Sequence, residues 1–192
     1  MSSSRPAVQH TMSMRVAVGA ALASLLLAAL PAAAADVQPR ALSLHQSDVP
    51  SGFLLDRARS GVQSNAAELR RNADLAPLFR RAGRVTGYSA EFRRGPAFIG
   101  SRADVLRRPQ GARIMLAWYE REIRKSGVGG LERSRARVGA ESWVFWEPTT
   151  KLALVGWRYR RVFAAVLGTD LTKEQTLALA RAQQRRIAGA LR

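Results

Sequence analysis

Cysteine is absent from the 192 residues, and histidine occurs only twice. Without thiols the chain can form no disulfide, no iron–sulfur site, no thiolate zinc site and no cysteine nucleophile. His10 lies in the leader described below, so His45 is the one histidine of the mature chain. A Ser-His-Asp arrangement needs a rigidly held histidine, and imidazole metal sites need two or more. We therefore predict no catalytic histidine, no metal and no cofactor.

Acidic residues are also scarce. Against 14 Asp and Glu stand 31 Lys and Arg, which give a formal net charge of +17 and a pI near 11.8. Arginine makes up nearly all of the cations, as codon bias in a GC-rich genome would produce, but codon bias does not explain why acids are so few. With 47% hydrophobic residues the composition is that of a globular protein. A packed core with a strongly basic surface is expected.

The first 35 residues have the pattern of a secretory signal peptide. Arg5 and Arg15 precede an uncharged apolar run from Val16 to Leu30, and small residues follow up to Ala35. A transmembrane anchor is the alternative, but the run is shorter than the roughly 20 residues that a spanning helix needs. We predict cleavage near Ala35 and a periplasmic or secreted protein. Its mature chain would have 29 Lys and Arg against 14 acids, a net charge of +15.

The mature chain divides into a flexible lead-in over 36–47 and a single domain over 48–192. Ser64 can cap a helix over 66–71, and a second helix over 78–82 should end at Gly83. Pro109 suits the first turn of a helix that runs to about Lys125 and ends at three glycines, Gly127, Gly129 and Gly130. A capping box formed by Thr172 and Gln175 opens the last helix.

Five segments alternate between apolar and polar residues and are predicted strands. They span 84–94, 97–106, 142–147, 152–160 and 162–168. In the first hairpin, Ala90 and Phe92 face inward, while Glu91, Arg102 and Asp104 are expected to face outward. The order predicts an α+β domain with an antiparallel sheet of about five strands and helices packed on one face.

Paired carboxylates are the remaining route to hydrolysis, but no spacing pairs them. Glu120 and Glu122 are two positions apart on a helix and face away from each other. We expect the acids to be solvated partners of arginine. The candidates are Glu91, Asp104, Glu120, Glu122, Glu141 and Glu147.

The arginines come in pairs, and the later strands carry aromatic residues. A basic face with exposed aromatic rings could contact an anionic ligand, although strand aromatics often belong to the core. The doublets are Arg70-Arg71, Arg80-Arg81, Arg93-Arg94, Arg107-Arg108, Arg160-Arg161 and Arg185-Arg186. The candidate ligand-binding residues are Trp143, Trp146, Trp157, Arg158, Tyr159 and Arg160.

Several short motifs resemble a group of exported bacterial domains of unassigned function. They are Asp48-Val-Pro-Ser-Gly-Phe53, Gly83-Arg-Val-Thr-Gly-Tyr88, Ile99-Gly-Ser101, Gly139-Ala-Glu-Ser142, and Ala180-Arg-Ala-Gln183 with Arg186-Ile187. The layout of that group is similar to the α+β ectodomains of some receptor kinases. Members of the group often have Asp where this chain has Ala140. The resemblance implies a non-enzymatic binding or sensing module and carries no catalytic residues over.

These observations predict an exported, non-enzymatic binding or sensor-type domain. Its basic surface would meet anionic lipid, a wall polymer or an acidic protein, and nucleic acid is not an expected partner outside the cytosol. Two alternatives remain open. One is a carboxylate-only hydrolase of the cell envelope, and the other is a structural envelope protein that acts through protein contacts.

Overall fold

A computed structural model describes residues 37–126 and 132–192 of this chain. The predicted signal peptide over 1–35 and the glycines predicted to end the third helix lie outside the described residues. The strands are β1 (Leu54–Leu55), β2 (Gly61–Val62), β3 (Arg84–Arg94), β4 (Ala97–Leu106), β5 (Glu132–Ser134), β6 (Glu141–Glu147), β7 (Leu152–Tyr159) and β8 (Val162–Thr169). The α-helices are α1 (Asn65–Arg71), α2 (Ala76–Ala82), α3 (Pro109–Lys125) and α4 (Lys173–Ala190).

All eight strands belong to one antiparallel sheet in the order β1-β3-β4-β8-β7-β6-β5, with β2 also paired to β3. This confirms the predicted α+β class and the five long strands; three short strands extend the sheet beyond them. The centre of the sheet is the pairing of β4 with β8, from Phe98↔Thr169 to Val105↔Val162. Among the described residues, none of the helices has the length and hydrophobicity needed to span a bilayer.

Helices cover both faces of the sheet, whereas the sequence predicted one covered face. On β8, Phe163 packs with the α3 side and its neighbours Ala164 and Val166 pack with the α4 side. Because adjacent side chains of a strand point to opposite faces, α3 and α4 must lie on opposite sides. The two layers of core explain why β8 is apolar at consecutive positions and not only at alternate ones.

Local signals at the helix ends act as predicted. The Ser64 hydroxyl accepts a hydrogen bond of 3.1 Å from the Ala67 N–H at the start of α1. Thr172 and Gln175 form the reciprocal capping box of α4, with hydrogen bonds of 3.1 and 2.8 Å. Gly83 ends α2 with φ of 62°, a left-handed conformation that glycine adopts without strain.

The lead-in is packed against the domain, which corrects the expectation of a flexible segment for residues 37–47. Leu42 and Leu44 are buried, and the Leu44 N–H donates a hydrogen bond of 3.0 Å to the Ser101 hydroxyl on β4. Just beyond this segment, Asp48 binds the Arg186 guanidinium on α4 at 2.5 Å. Burial raises the pKa of Asp48, but hydrogen bonds from Arg186 and from the backbone outweigh burial and lower it overall.

Asp104 is fully buried, which corrects the prediction that it faces solvent. The reason is that α1, α2 and α3 cover its face of the sheet near the start of β3. Its carboxylate accepts hydrogen bonds of 2.6 and 2.9 Å from Arg84, whose side chain is also 0% exposed, and of 2.8 and 3.2 Å from Arg102. Arg102 also reaches Glu68 on α1 at 3.4 Å. Burial opposes the charge of Arg102, but Asp104, Tyr119 and Glu68 together outweigh burial and raise the pKa of the guanidinium.

Candidate functional site: an arginine-rich end of the sheet

Three of the six arginine doublets come together at one end of the sheet. This is the end where α2 stops, β4 stops and β7 turns into β8. We call the set the arginine-rich end, and its members are Arg80, Arg81, Arg107, Arg108, Arg160 and Arg161. All are exposed except Arg161, which is half-buried.

Backbone hydrogen bonds hold these segments side by side. The Arg107 N–H donates to the Gly83 carbonyl at 2.9 Å, which places the end of α2 against the end of β4. The Leu106 N–H donates to the Arg161 carbonyl at 2.9 Å, which places the β7–β8 turn on the other side. The first turn of α3 touches α2 closely, since a Cβ on Gly111 would lie 2.0 Å from the Ala82 carbonyl oxygen. The arrangement is therefore set by rigid secondary structure.

The start of α3 adds to the positive potential. Arg108 is its N-cap residue, and the first turn contains no acidic side chain. Pro109 has no N–H, and the Gly111 N–H donates to the Arg108 carbonyl at 3.0 Å. The contribution of this helix start is therefore the positive end of the helix dipole, which adds to the charge of the neighbouring arginines.

Nearby carboxylates are already occupied. Glu141, at the start of β6, is bound by Arg158 at 2.6 Å and by Arg113 at 3.1 Å. The hydrogen bond from Arg158 is the main reason that the pKa of Glu141 lies below its usual range. Within the part of the chain that the structure describes, no acid pairs with the exposed arginines at the ends of α2 and β4.

In each of the doublets elsewhere one arginine has an intramolecular partner, as Arg160 does at the arginine-rich end through the Leu191 carbonyl. Arg71 donates to Gln63 at 2.9 Å, and Arg186 binds Asp48. Arg93 binds Glu91 on its own strand. At the arginine-rich end, Arg80, Arg81, Arg107 and Arg108 are exposed and form no ion pair with an acid of the described residues, so these four are the cations available to an external partner.

The predicted aromatic site does not form one surface. Trp143 is 1% exposed beneath α3 and its indole N–H donates to the Leu116 carbonyl at 3.4 Å. Trp157 is 0% exposed on the opposite face and donates to the Gln184 side chain on α4 at 2.8 Å. Since helices cover both faces, these two tryptophans are core residues and the prediction of ligand stacking is corrected for them.

The remaining predicted site residues lie apart from one another. Trp146 is half-buried near the far end of β6, and Tyr159 is half-buried on the α4 side. Arg158 is held by Glu141, and its pKa is raised by that hydrogen bond. Arg160 contacts the Leu191 carbonyl and lies over the Tyr159 ring at 5.7 Å. Of the predicted set, only Arg160 belongs to the arginine-rich end.

The six candidate carboxylates are all engaged by the protein itself. Asp104 and Glu141 have the arginine partners described above, and Glu91 binds Arg93. Glu120 pairs with Arg124, Glu122 pairs with Lys125, and Glu147 accepts a hydrogen bond from Thr150. Among the described residues, no three His, Cys, Asp or Glu side chains come together as a metal site would need.

Sequence reasoning missed Arg80, Arg81, Arg107 and Arg108 as a surface. Each pair stands at the predicted end of an element, directly before Gly83 or before Pro109. The sequence contained a signal for this surface, because in an antiparallel pair the start of one strand lies beside the end of the next strand. The predicted β3–β4 hairpin already places these four arginines at one end, and only the addition of Arg160 and Arg161 depends on the pairing of β4 with β8, which was not predicted.

Comparisons with known proteins find a weak structural similarity and no family. No protein-family model matches it, and no curated protein matches it. Among solved structures it is similar to the extracellular domain of PknH from Mycobacterium tuberculosis, with 11% identity over 78% of this chain and 99% of that chain and a TM-score of 0.49. The similarity to that extracellular domain is weak. Identity this low carries no information about ligand or activity.

Proposed function

We propose that this chain is an exported, non-enzymatic binding domain of sensor type that docks onto anionic lipid headgroups through its arginine-rich end. The observation that carries the proposal is the convergence of three arginine doublets on one end, where no acid of the described residues neutralises the four arginines of α2 and β4. The secretory pattern of the first 35 residues supports export.

A lipid surface fits this geometry better than a single small anion. The arginines come from three separate places in the chain and present many charges side by side across one end of the sheet. An anionic bilayer offers a matching plane of charges, and each arginine near such a surface contributes about 1 kcal/mol. The six candidate carboxylates already have partners among the described residues, which favours binding over turnover.

The experiment is co-sedimentation of the mature chain, from Asp36 onward, with vesicles at low and high salt. Binding to vesicles with 30% phosphatidylglycerol, absent with pure phosphatidylcholine and weakened by salt, is expected. The double variant Arg107→Gln/Arg108→Gln should lower vesicle affinity about thirtyfold, at about 1 kcal/mol per arginine.

A control variant removes two cations from the other half of the domain. Arg57 and Lys151 are exposed and lie away from the arginine-rich end, so Arg57→Gln/Lys151→Gln should change vesicle affinity only slightly. Equal losses in the two double variants would show that net charge, and not this end, drives binding. If the protein binds soluble teichoic acid or an acidic protein but does not bind vesicles, the proposal of a lipid partner is wrong and that polyanion is the partner.

A further inference from the structure

A groove lies on the α3 side of the sheet, beyond the part of that face that α3 covers. It has a volume of about 300 Å³, at the lower end of the range of small-molecule sites. Its floor is formed by Gly100, Ala165, Leu167 and Leu154 from three neighbouring strands, and Tyr119 of α3 stands beside it. The groove is distinct from the arginine-rich end, so it raises a separate question of function.

The depth of the groove follows from two small residues in the middle of the sheet. Gly100 on β4 pairs with Leu167 on β8, and the next row pairs Arg102 with Ala165. Glycine and alanine at adjacent rows leave a depression between the larger side chains. The Tyr119 ring is fixed at its edge by stacking on Phe163, with ring centroids 4.8 Å apart.

Hydrogen-bond donors gather at one side of this apolar floor. The Ser89 and Tyr119 hydroxyls line the groove, and neither donates to another residue of the described chain. Burial raises the pKa of Tyr119 to about 12, so its hydroxyl carries its proton at neutral pH. Arg59 is 62% exposed, and its contacts with Asp56 and Glu91 are both 3.7 Å, too long for hydrogen bonds.

Acceptors at the same place are already used. Glu91 accepts hydrogen bonds from Arg93, and Asp104 and Glu68 are occupied by Arg102. Hydrogen-bond donors next to an apolar floor complement an anionic head with a hydrophobic tail.

We propose that this groove binds a small amphipathic carboxylate, with its tail over Gly100, Ala165 and Leu167 and its carboxylate held by Arg59, Ser89 and Tyr119. The head group would exchange water for charge-assisted hydrogen bonds, while the tail buries the floor of the groove.

The test is calorimetric titration with decanoate, decanol and decyltrimethylammonium, all below the concentrations at which they self-associate. Decanoate should bind at least about tenfold tighter than decanol, the difference expected from one charge-assisted hydrogen bond, and the cation should not bind. Decanol binding as tightly as decanoate, or the cation binding best, would overturn the proposal.

Variants locate the binding. Gly100→Val should abolish it, because a Cβ at Gly100 already lies 2.9 Å from the Phe98 ring and fills the depression. Tyr119→Phe and Arg59→Gln, which leave the fold's buried contacts in place, should each weaken decanoate binding about tenfold. Gly189→Ala is the control, since nothing lies within 4 Å of a Cβ there.

The arginine-rich end provides the control for charge. Arg107→Gln/Arg108→Gln should bind decanoate like the unmodified protein, even though it loses vesicle affinity. If that variant loses decanoate binding while Tyr119→Phe keeps it, the carboxylate binds at the arginine-rich end and the groove is not its site. Failure of vesicle binding with decanoate binding intact would overturn only the proposed lipid docking.

Discussion

Substituting Asp104 by asparagine should strongly destabilise the domain. The carboxylate and the Arg84 side chain that it binds are both 0% exposed, and the shortest of their contacts is 2.6 Å. Asp104→Asn keeps the size of the side chain but removes its charge, so the Arg84 guanidinium stays buried without a counter-charge. Breaking a buried ion pair in this way costs about 3–5 kcal/mol. That is a large part of the roughly 5–15 kcal/mol that stabilises a domain.

Equilibrium unfolding in urea, followed by circular dichroism, measures this cost. The matched control is Glu141→Gln, because Glu141 also binds an arginine at 2.6 Å but is 42% exposed. The control should lose less than about 1 kcal/mol, as exposed pairs do. A loss below about 1 kcal/mol for Asp104→Asn as well would refute the reasoning from burial.

A double substitution separates the charge from the packing. Arg84→Met/Asp104→Leu removes both charges and fills the space with apolar atoms, so it should be more stable than Asp104→Asn alone. Recovery will be partial, because Arg102 loses its Asp104 partner at 2.8 Å. The hydrogen bonds that Arg84 donates to Asn65 at 2.6 Å and to the Gln63 carbonyl at 2.9 Å are lost as well. A double variant less stable than Asp104→Asn would contradict the view that the unpaired charge dominates the cost.

Three further predictions concern local packing and pH. Hydrogen bonds from Thr150 lower the pKa of Glu147 to about 2 from its ordinary 4.5, so its stabilising effect is complete above pH 4.5 and is lost as pH falls toward 2; the difference in Tm between the unmodified protein and Glu147→Gln should vanish over that window. Gly156→Ala should destabilise by at least about 1–3 kcal/mol and alter tryptophan fluorescence, since its Cβ would lie 2.3 Å from the Trp143 ring; unchanged stability would show that the ring can move aside. Gly189→Ala should raise stability in urea by about 0.5–1 kcal/mol, because alanine favours the helix and meets no neighbour; a loss would contradict its open surroundings.

Local signals in the sequence were sufficient for the elements of this fold. Alternation identified β3 and β4, and the capping residues of α1 and α4 set where those helices begin. These features depend on neighbours within a few residues, so a single sequence contains them. The two-residue strands β1 and β2 gave no signal, because two residues are too few to show alternation.

Features that depend on distant contacts could not be predicted in the same way. Asp104 occupies a polar position of an alternating strand. It is buried only because Arg84 and α1 pack around it. A tryptophan on a strand can belong either to the core or to an exposed binding surface. Only the positions of α3 and α4 identify Trp143 and Trp157 as core residues. The place of Arg160 and Arg161 at the arginine-rich end likewise depends on the pairing of β4 with β8, whose residues are more than fifty positions apart in sequence.

The absence of cysteine offers the most direct measurement of how this domain meets a membrane. A single introduced cysteine, labelled with an environment-sensitive fluorophore, reports one place at a time: Gln110→Cys in the first turn of α3, or Pro96→Cys in the exposed turn at the opposite end of the sheet. On addition of phosphatidylglycerol vesicles, the probe at Gln110 should shift to shorter wavelength and the probe at Pro96 should not. A shift at Pro96 alone, or equal shifts at both ends, would contradict docking through the arginine-rich end.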